Sequence, residues 1–216
     1  MAIALEGTRL KIMAIIQKQG SATVDQVAQE LDLSPATIRR HLDILRGDRM
    51  VSYDQVRRKA GRPEFVYFLT EEGHESGYRE YQKLLTLFLD EVASLVPADL
   101  LGKDGEELLR FLIAKISNQV SSPYVEPGQP SQEVRLARLE RALTDRGFSP
   151  EITQEDNQVR IRLCNCPFRA SALGQRLVCD FDRELIANIL GVEPVGQYTI
   201  HDGNNTCSYV ASLGSS

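Results

Sequence analysis

The sequence predicts an α+β fold in three parts. Residues 1–70 combine helical apolar patterns with a basic strand pair, residues 71–122 are mostly helical, and residues 130–216 alternate strands with helices. No stretch approaches the roughly 20 apolar residues that a membrane span requires, and the N-terminus lacks the basic and apolar regions of an export signal. We therefore expect a cytoplasmic protein with no membrane partner.

Three helices are predicted at the start of the chain. Apolar residues recur at helical spacing over residues 8–19, and Thr23 is a suitable N-cap for a second helix that ends near Asp32. Ser34-Pro35 supplies an N-cap and a proline at the first position of a third helix. The buried face of this third helix is predicted to contain Ile38, Leu42 and Leu45.

Two strand-like segments follow, residues 50–56 and 64–69, with a basic segment between them. A cationic helix after a helix and a turn, followed by a basic hairpin, is the order of a winged helix-turn-helix. Arginines in the first turns of the third helix can contact guanine in the major groove, and the hairpin tip can reach phosphates. We predict double-stranded operator DNA as a partner, bound by Ser34, Ala36, Thr37, Arg39, Arg40, Arg57, Arg58, Lys59 and Arg62.

The distribution of charge agrees with a DNA-binding N-terminal part. The whole chain has a net charge of -5, but residues 1–69 carry 11 Lys and Arg against 8 Asp and Glu. The remaining residues therefore carry a net charge of -8. A local basic region on an acidic protein is compatible with contact to the phosphate backbone.

Two segments of this part resemble a known group of regulators. Ser34-Pro-Ala-Thr-Ile-Arg-Arg-His-Leu42, followed by Gly61-Arg-Pro63, is similar to winged-helix repressors of the ArsR/DeoR-like group. The resemblance covers residues 8–69. It implies DNA binding and leaves the regulated gene unspecified.

An apolar heptad pattern follows the winged part. Its members are spaced 3, 4, 3, 4 and 3 residues apart on one long helix that Pro97 limits. A second helix is predicted over residues 105–120, and residues 121–130 form a linker. Internal packing would explain the pattern, but a homodimer also fits, because two-fold operators need two recognition helices. The predicted dimer seam consists of Tyr78, Tyr81, Leu85, Phe88, Val92 and Leu95.

The last part holds all four cysteines. A helix is predicted over residues 132–146, strands over 148–152 and 159–164, a helix over 180–190, and strands over 197–201 and 206–211. The cysteine pattern is Cys164-x-Cys166, then 12 residues to Cys179 and 27 to Cys207. Clustered cysteines in the cytosol are typically metal ligands or redox groups. Zinc sites use tight pairs at both ends, whereas iron-sulfur clusters tolerate scattered thiolates, so both cofactors stay open.

The cysteine part resembles a family of iron-sulfur regulators. Asn165-Cys-Pro-Phe168, the two cysteine intervals and the helix from Cys179 to Gly191 are similar to SufR-like proteins, as is the order of the domains. The resemblance implies a transcriptional repressor of iron-sulfur cluster assembly genes. It implies a cluster, of the 4Fe-4S type, on Cys166, Cys179 and Cys207.

One departure leaves the fourth ligand open. Some SufR-like members have another cysteine between the last two, where this chain has Glu193 and no thiol. Cys164, two residues before Cys166 on a predicted strand, would point to the same face. Glu193, His201 or a water molecule are the other options. The alternative function is a winged-helix regulator with a zinc site or thiol switch, and the absence of a catalytic motif predicts that the protein is not an enzyme.

Overall fold

The computed structural model describes residues 7–56, 63–125, 128, 130–155 and 157–213. The chain divides into two compact units, Met1–Tyr78 and Arg79–Ser216, and each is described by itself. Helices and two separate sheets are both present, which confirms the predicted α+β class. Among the described residues, no helix is long and apolar enough to cross a membrane.

The first unit contains four helices and a small antiparallel sheet in its described residues. Its sheet has the strand order β1-β3-β2, and β2 pairs with β3 along their whole length, from Val51 opposite Leu69 to Val56 opposite Glu64. The elements in chain order are α1 Thr8–Gln19, β1 Ala22–Thr23, α2 Val24–Leu31, α3 Pro35–Gly47, β2 Val51–Val56, β3 Glu64–Leu69 and α4 Glu71–Glu75.

Local signals fix the helix boundaries in this unit. The Thr23 hydroxyl accepts a hydrogen bond from the Gln26 N–H, and the Gln26 side chain accepts one from the Thr23 N–H, a complete capping box for α2. Ser34 caps α3, and Pro35 is its first residue. The apolar faces of the helices and strands then meet in one core, which includes Ile12, Ile16, Val27, Ile38, Leu42, Leu45 and Val51.

The second unit is larger and combines helices with a four-stranded antiparallel sheet. The strand order is β4-β5-β7-β6. In chain order the helices are α5 Tyr81–Ala93, α6 Pro97–Leu100, α7 Gly105–Ser121, α8 Gln132–Asp145, α9 Arg169–Gly174 and α10 Asp180–Leu190. The strands are β4 Pro150–Glu155, β5 Gln158–Leu163, β6 Val195–Tyr198 and β7 Cys207–Ser212.

One hydrophobic core joins the central helices to the cysteine-containing part. Leu84 of α5 and Ile113 and Ile116 of α7 belong to the same buried cluster as Leu139 of α8 and Tyr209 of β7. The structure therefore differs from the predicted division into residues 1–70, 71–122 and 130–216. Helix α7 packs against α10 and α5 packs against α7, and their buried residues share one core with the sheet.

The long helix predicted after Thr70 is broken. Residues 71–75 form the short α4, which ends at its C-cap Ser76, and Tyr78 lies in an extended stretch before α5. Leu95 lies beyond the last residue of α5, because Pro97 forces Val96 into an extended conformation with φ -110°. The heptad spacing in the sequence therefore extends beyond both ends of α5, since Tyr78 precedes the helix and Leu95 follows it.

Gly73 makes the closest backbone approach in the first unit. A Cβ atom on this residue would lie 2.0 Å from the Met50 carbonyl oxygen, which is backbone and has little room to move. The α4 turn containing Gly73 is held there by Thr70, whose hydroxyl donates to the Arg49 carbonyl at 2.5 Å and accepts from the Gly73 N–H at 3.0 Å. Only glycine fits this position.

We predict that Gly73→Ala lowers the free energy of unfolding by about 1–3 kcal/mol, the usual cost of overpacking. Urea denaturation followed by circular dichroism measures this value. Gly47→Ala is the matched control, because a Cβ there meets no atom within 4 Å and alanine favours the end of α3. Equal stability of the two variants would contradict the close approach.

Candidate functional site

The candidate DNA-recognition surface is centred on α3. The Ser34 hydroxyl accepts a hydrogen bond from the Thr37 N–H at 3.1 Å and lies 2.9 Å from the Thr37 hydroxyl. Ser34 and Thr37 are therefore occupied in fixing the start of the helix. Ala36, Arg39 and Arg40 are exposed and line one open concavity with Asp43 and Ile44. This face presents two cations without a covering element of its own unit.

The β2-β3 hairpin places aromatic rings beside the recognition helix. The guanidinium of Arg46 lies 5.6 Å from the centre of the Tyr53 ring, and Tyr53 packs edge-on against Phe65 with centroids 5.0 Å apart. Burial raises the pKa of Tyr67, and the Asp43 carboxylate raises it further, whereas Arg46 and Arg39 lower it. The contact between Arg46 and the Tyr53 ring shows that α3 lies beside β2. Arg57, Arg58, Lys59 and Arg62 lie outside the described residues.

The second candidate site contains three cysteines from three different elements. Cys166 lies in the loop after β5, Cys179 ends the helical turn that leads into α10, and Cys207 begins β7. Cys179 and Cys207 are buried, and Cys166 is half-buried against the same core. Of the three residues that the SufR-like resemblance implies as ligands, Cys179 and Cys207 belong to this core and Cys166 packs against it.

Burial is the main physical influence on these thiols. It raises the pKa of Cys166 and Cys207, and raises that of Cys179 to about 12. The next contribution for each is the negative charge of Asp182, and Cys207 is also affected by Cys166 and Cys179. The backbone N–H groups of Phe168 and Ile200 donate to the sulfurs of Cys166 and Cys207 and act in the opposite direction.

The loop that carries Cys166 is attached to the start of α5. An Arg79 guanidinium N–H donates to Asn165 Oδ1 at 2.9 Å, the Glu80 N–H donates to the Pro167 carbonyl at 3.1 Å, and the Ala170 N–H donates to the Tyr81 hydroxyl at 2.9 Å. Asn165 also donates to the Gly147 carbonyl at 2.7 Å. The backbone on both sides of Cys166 is thereby held against the beginning of one helix.

The other residues considered as a fourth ligand occupy different surroundings. Strand β5 ends at Leu163, so the alternation of side chains does not extend to Cys164, which is buried and whose charge acts on Arg162. The Glu193 side chain is 70% exposed and pairs with Arg183 at 3.1 Å. His201 Nδ1 lies 3.0 Å from the Ala172 carbonyl oxygen.

Sequence reasoning missed Asp182, which is 5% exposed and acts on all three thiols. The sequence offered one clue to Asp182. It follows Cys179 by three residues, and residues three apart on a helix share a face. The preceding Asp180 has the same chemistry but forms an ion pair with Arg110 at 2.9 Å. Composition alone does not distinguish the two aspartates.

The predicted dimer seam is divided between two faces of α5. Tyr81 and Phe88 pack partly buried against the core of the second unit. Leu85, Leu89 and Val92 are exposed to 59%, 59% and 50%. They are four and three residues apart and lie on one face of the helix. We call these three residues the outer stripe.

The three thiols do not form a site for one metal ion in the part of the chain that the structure describes. Among the described residues, no three His, Cys, Asp or Glu side chains converge closely enough to ligate one metal ion. Zinc requires all its thiolates at about 2.3 Å from one centre. In a cluster of four irons each thiolate binds a different iron atom, so the sulfurs need not meet at one point. The donor chemistry of the three cysteines is that of iron-sulfur cluster ligands.

A comparison with protein-family models found a match within the first unit. Residues 6–53 match the family model of bacterial regulatory proteins of the arsR family. No curated protein sequence matches the chain.

Solved structures also show similarity to this chain, at low TM-scores. A transcriptional regulator homologue from Pyrococcus horikoshii OT3 is 26% identical, with a TM-score of 0.28, over 40% of this chain and 83% of that one. A double mutant of Lactococcus lactis ZitR is 16% identical, with a TM-score of 0.30, over 57% and 77% of the two chains. Bacillus subtilis PadR in complex with operator DNA is 11% identical, with a TM-score of 0.29, over 83% and 93%.

The assignment is based on the family model together with the geometry of the first unit. The matched segment contains α1, β1, α2 and α3 and extends into β2, and the capped cationic helix is its third helix. The family consists of regulatory proteins and not of enzymes. The protein is a DNA-binding transcriptional regulator with an arsR-type winged helix-turn-helix.

Proposed function

We propose that the protein is a SufR-like repressor of iron-sulfur cluster assembly genes, working in the cytoplasm. In this proposal a 4Fe-4S cluster on Cys166, Cys179 and Cys207 controls binding to operator DNA. The observation that supports the proposal is that these three thiols, from three elements, belong to or pack against one buried core.

The chain's own groups prepare the site for thiolate ligands. Because burial raises the thiol pKa values, the cysteines are protonated while the site is empty, and binding of metal releases those protons. The N–H groups of Phe168 and Ile200 stabilise the sulfur charge and orient two of the three ligands. When bound, the cluster would supply a centre that is lost when iron is scarce or oxidants are present.

The Cys166 loop provides a physical route from the cluster to the rest of the protein. Residues 165, 167 and 170 are hydrogen-bonded to residues 79, 80 and 81, and residue 79 follows directly on the DNA-binding unit in the chain. A change in the loop therefore changes the restraints on the start of α5. If the cluster changes the affinity of the protein for DNA, DNA must change its affinity for the cluster by the same factor. This follows because the coupling between two binding sites is reciprocal.

The outer stripe supports a homodimer. Three large apolar side chains on one helix face lose contact with water when two copies of α5 pack together. A two-fold dimer also presents two recognition helices to a symmetric operator. The dimer therefore uses Leu85, Leu89 and Val92, rather than all six residues of the predicted seam.

We predict that Arg39→Ala and Arg40→Ala each weaken DNA binding by roughly tenfold or more, since an arginine contact to a base is worth about 1–3 kcal/mol. The measurement is fluorescence anisotropy at fixed salt, with a duplex that the wild-type protein selects from a random library. Arg141→Ala is the control, because its side chain is 78% exposed on α8 in the second unit. Unchanged affinity in both α3 variants would refute the assignment of this face.

A second prediction concerns the oligomeric state. Leu85→Glu and Leu89→Glu place a charge in the proposed interface and should convert a dimer to a monomer in sedimentation equilibrium. Leu101→Glu is the matched control, because this leucine is 84% exposed in a loop off the stripe. A wild-type monomer, or dimers that tolerate both stripe variants, would show that α5 is not the interface.

The third prediction tests the cofactor. Anaerobically purified wild type should contain iron with an equal amount of sulfide, and Cys166→Ser, Cys179→Ser and Cys207→Ser should each lose both. Cys164→Ser should retain the cluster, because the three ligands that the resemblance implies do not include this thiol. Zinc, or no metal, in the wild type would replace this proposal by the zinc or thiol-switch function and leave DNA binding in place.

A further inference from the structure

A cavity opens in the second unit between the start of α8 and the end of α10. Its volume is about 700 Å³. Small-molecule sites in proteins commonly have volumes of about 300–1,000 Å³. Gln132, Arg135 and Arg138 line the cavity from α8, and Asn188 lines it from α10. These side chains are polar, so the cavity is more than a gap in apolar packing.

Three of the polar side chains have a buried atom without a hydrogen bond. In the part of the chain that the structure describes, Gln132 Nε2, Arg135 Nε and Asn188 Nδ2 are shielded from solvent and have no partner. Buried polar groups of this kind are costly and rare in folded proteins. Three of them around one cavity indicate that their partner is a molecule bound inside it.

Arg135 also has a structural role, which accounts for only part of its guanidinium. Its Nη1 donates to the Leu190 carbonyl at 2.7 Å and so fixes the side chain at the end of α10. The buried Nε is not used by this bond. An amide group can donate or accept, but a guanidinium only donates. The partner that Arg135 requires is therefore an acceptor.

The charge of the lining residues narrows the class of ligand. Two arginines line the cavity, and none of its described lining residues is an aspartate or a glutamate. Water would satisfy the donors but would leave the Arg135 charge unbalanced, whereas a carboxylate accepts charge-assisted hydrogen bonds from a guanidinium. Tyr124, Ile189 and Leu190 add apolar surface to the lining. An anionic group on an apolar body matches this combination.

We propose that this cavity binds a small organic carboxylate. Arg135 holds the carboxylate group together with the amides of Gln132 and Asn188, because one guanidinium and two amides suit a single negative charge. The site goes beyond the proposed function and does not depend on a cluster. Asn188 follows Cys179 by nine residues, which is about two and a half helical turns along α10.

The test is isothermal titration calorimetry of the full-length protein with benzoate, benzamide and inorganic phosphate. Benzamide has the shape of benzoate without its charge, and phosphate has charge without an apolar body. Benzoate should bind saturably, and benzamide roughly tenfold more weakly, because the charge-assisted bond is lost. Arg135→Gln should weaken benzoate binding by a similar factor. Asn188→Asp should abolish it, because this variant supplies its own carboxylate to the cavity.

Arg141→Gln is the matched control, because Arg141 lies on the same helix with a side chain that is 78% exposed. It should bind benzoate as the wild type does. Equal affinity for benzoate and benzamide, or wild-type affinity in both cavity variants, would overturn the proposal. So would phosphate binding alone, or no saturable binding. Circular dichroism checks folding, and Asn188→Asp decides the question if Arg135→Gln fails to fold.

Discussion

The attachment of the Cys166 loop to the start of α5 is the constraint on which the proposed switch depends. Three hydrogen bonds join residues 165–170 to residues 79–81, and each comes from a different residue of the loop. Asn165 and Glu80 are themselves buried, at 8% and 4% exposure, whereas the bond from Ala170 to Tyr81 is exposed. A buried polar group that loses its partner costs about 1–3 kcal/mol, so the loop and the helix are expected to move together.

The surroundings of the three thiols bear on the proposed cofactor. Thiols in this environment are difficult to ionise, because burial and the Asp182 charge both oppose it. A cofactor that binds thiolates must therefore offset the free energy needed to deprotonate these buried thiols. In the proposed function, this cost lowers the affinity for the cluster, which suits a sensor that must lose its cofactor.

Much of the first unit was predictable because its signals are local. The caps at Thr23 and Ser34, the proline after Ser34 and the apolar spacing of α3 each act within a few residues, and the structure confirms the three helices and the hairpin strands. The α4 turn was missed because its support comes from distant backbone, namely the Met50 carbonyl that packs against Gly73.

The second unit was less predictable for the same reason. The heptad spacing did not show that Tyr81 would bind Ala170 while Leu85 would remain exposed, because those contacts are decided by residues far along the chain. The predicted strands are present with shifted boundaries, and His201 lies in a short helical turn instead of a strand. The cysteine group was accessible through a resemblance, whereas Asp182 became visible only when β7 was placed against α10.

The central claim is that the cofactor and the operator are linked through one protein equilibrium. The most direct measurement is the affinity of the same dimer for one selected duplex, with and without its cluster, at matched salt concentration. The account predicts tighter binding by the cluster-loaded dimer, and tighter retention of the cluster on DNA by the same factor. Equal affinity of the loaded and cluster-free dimers would contradict it.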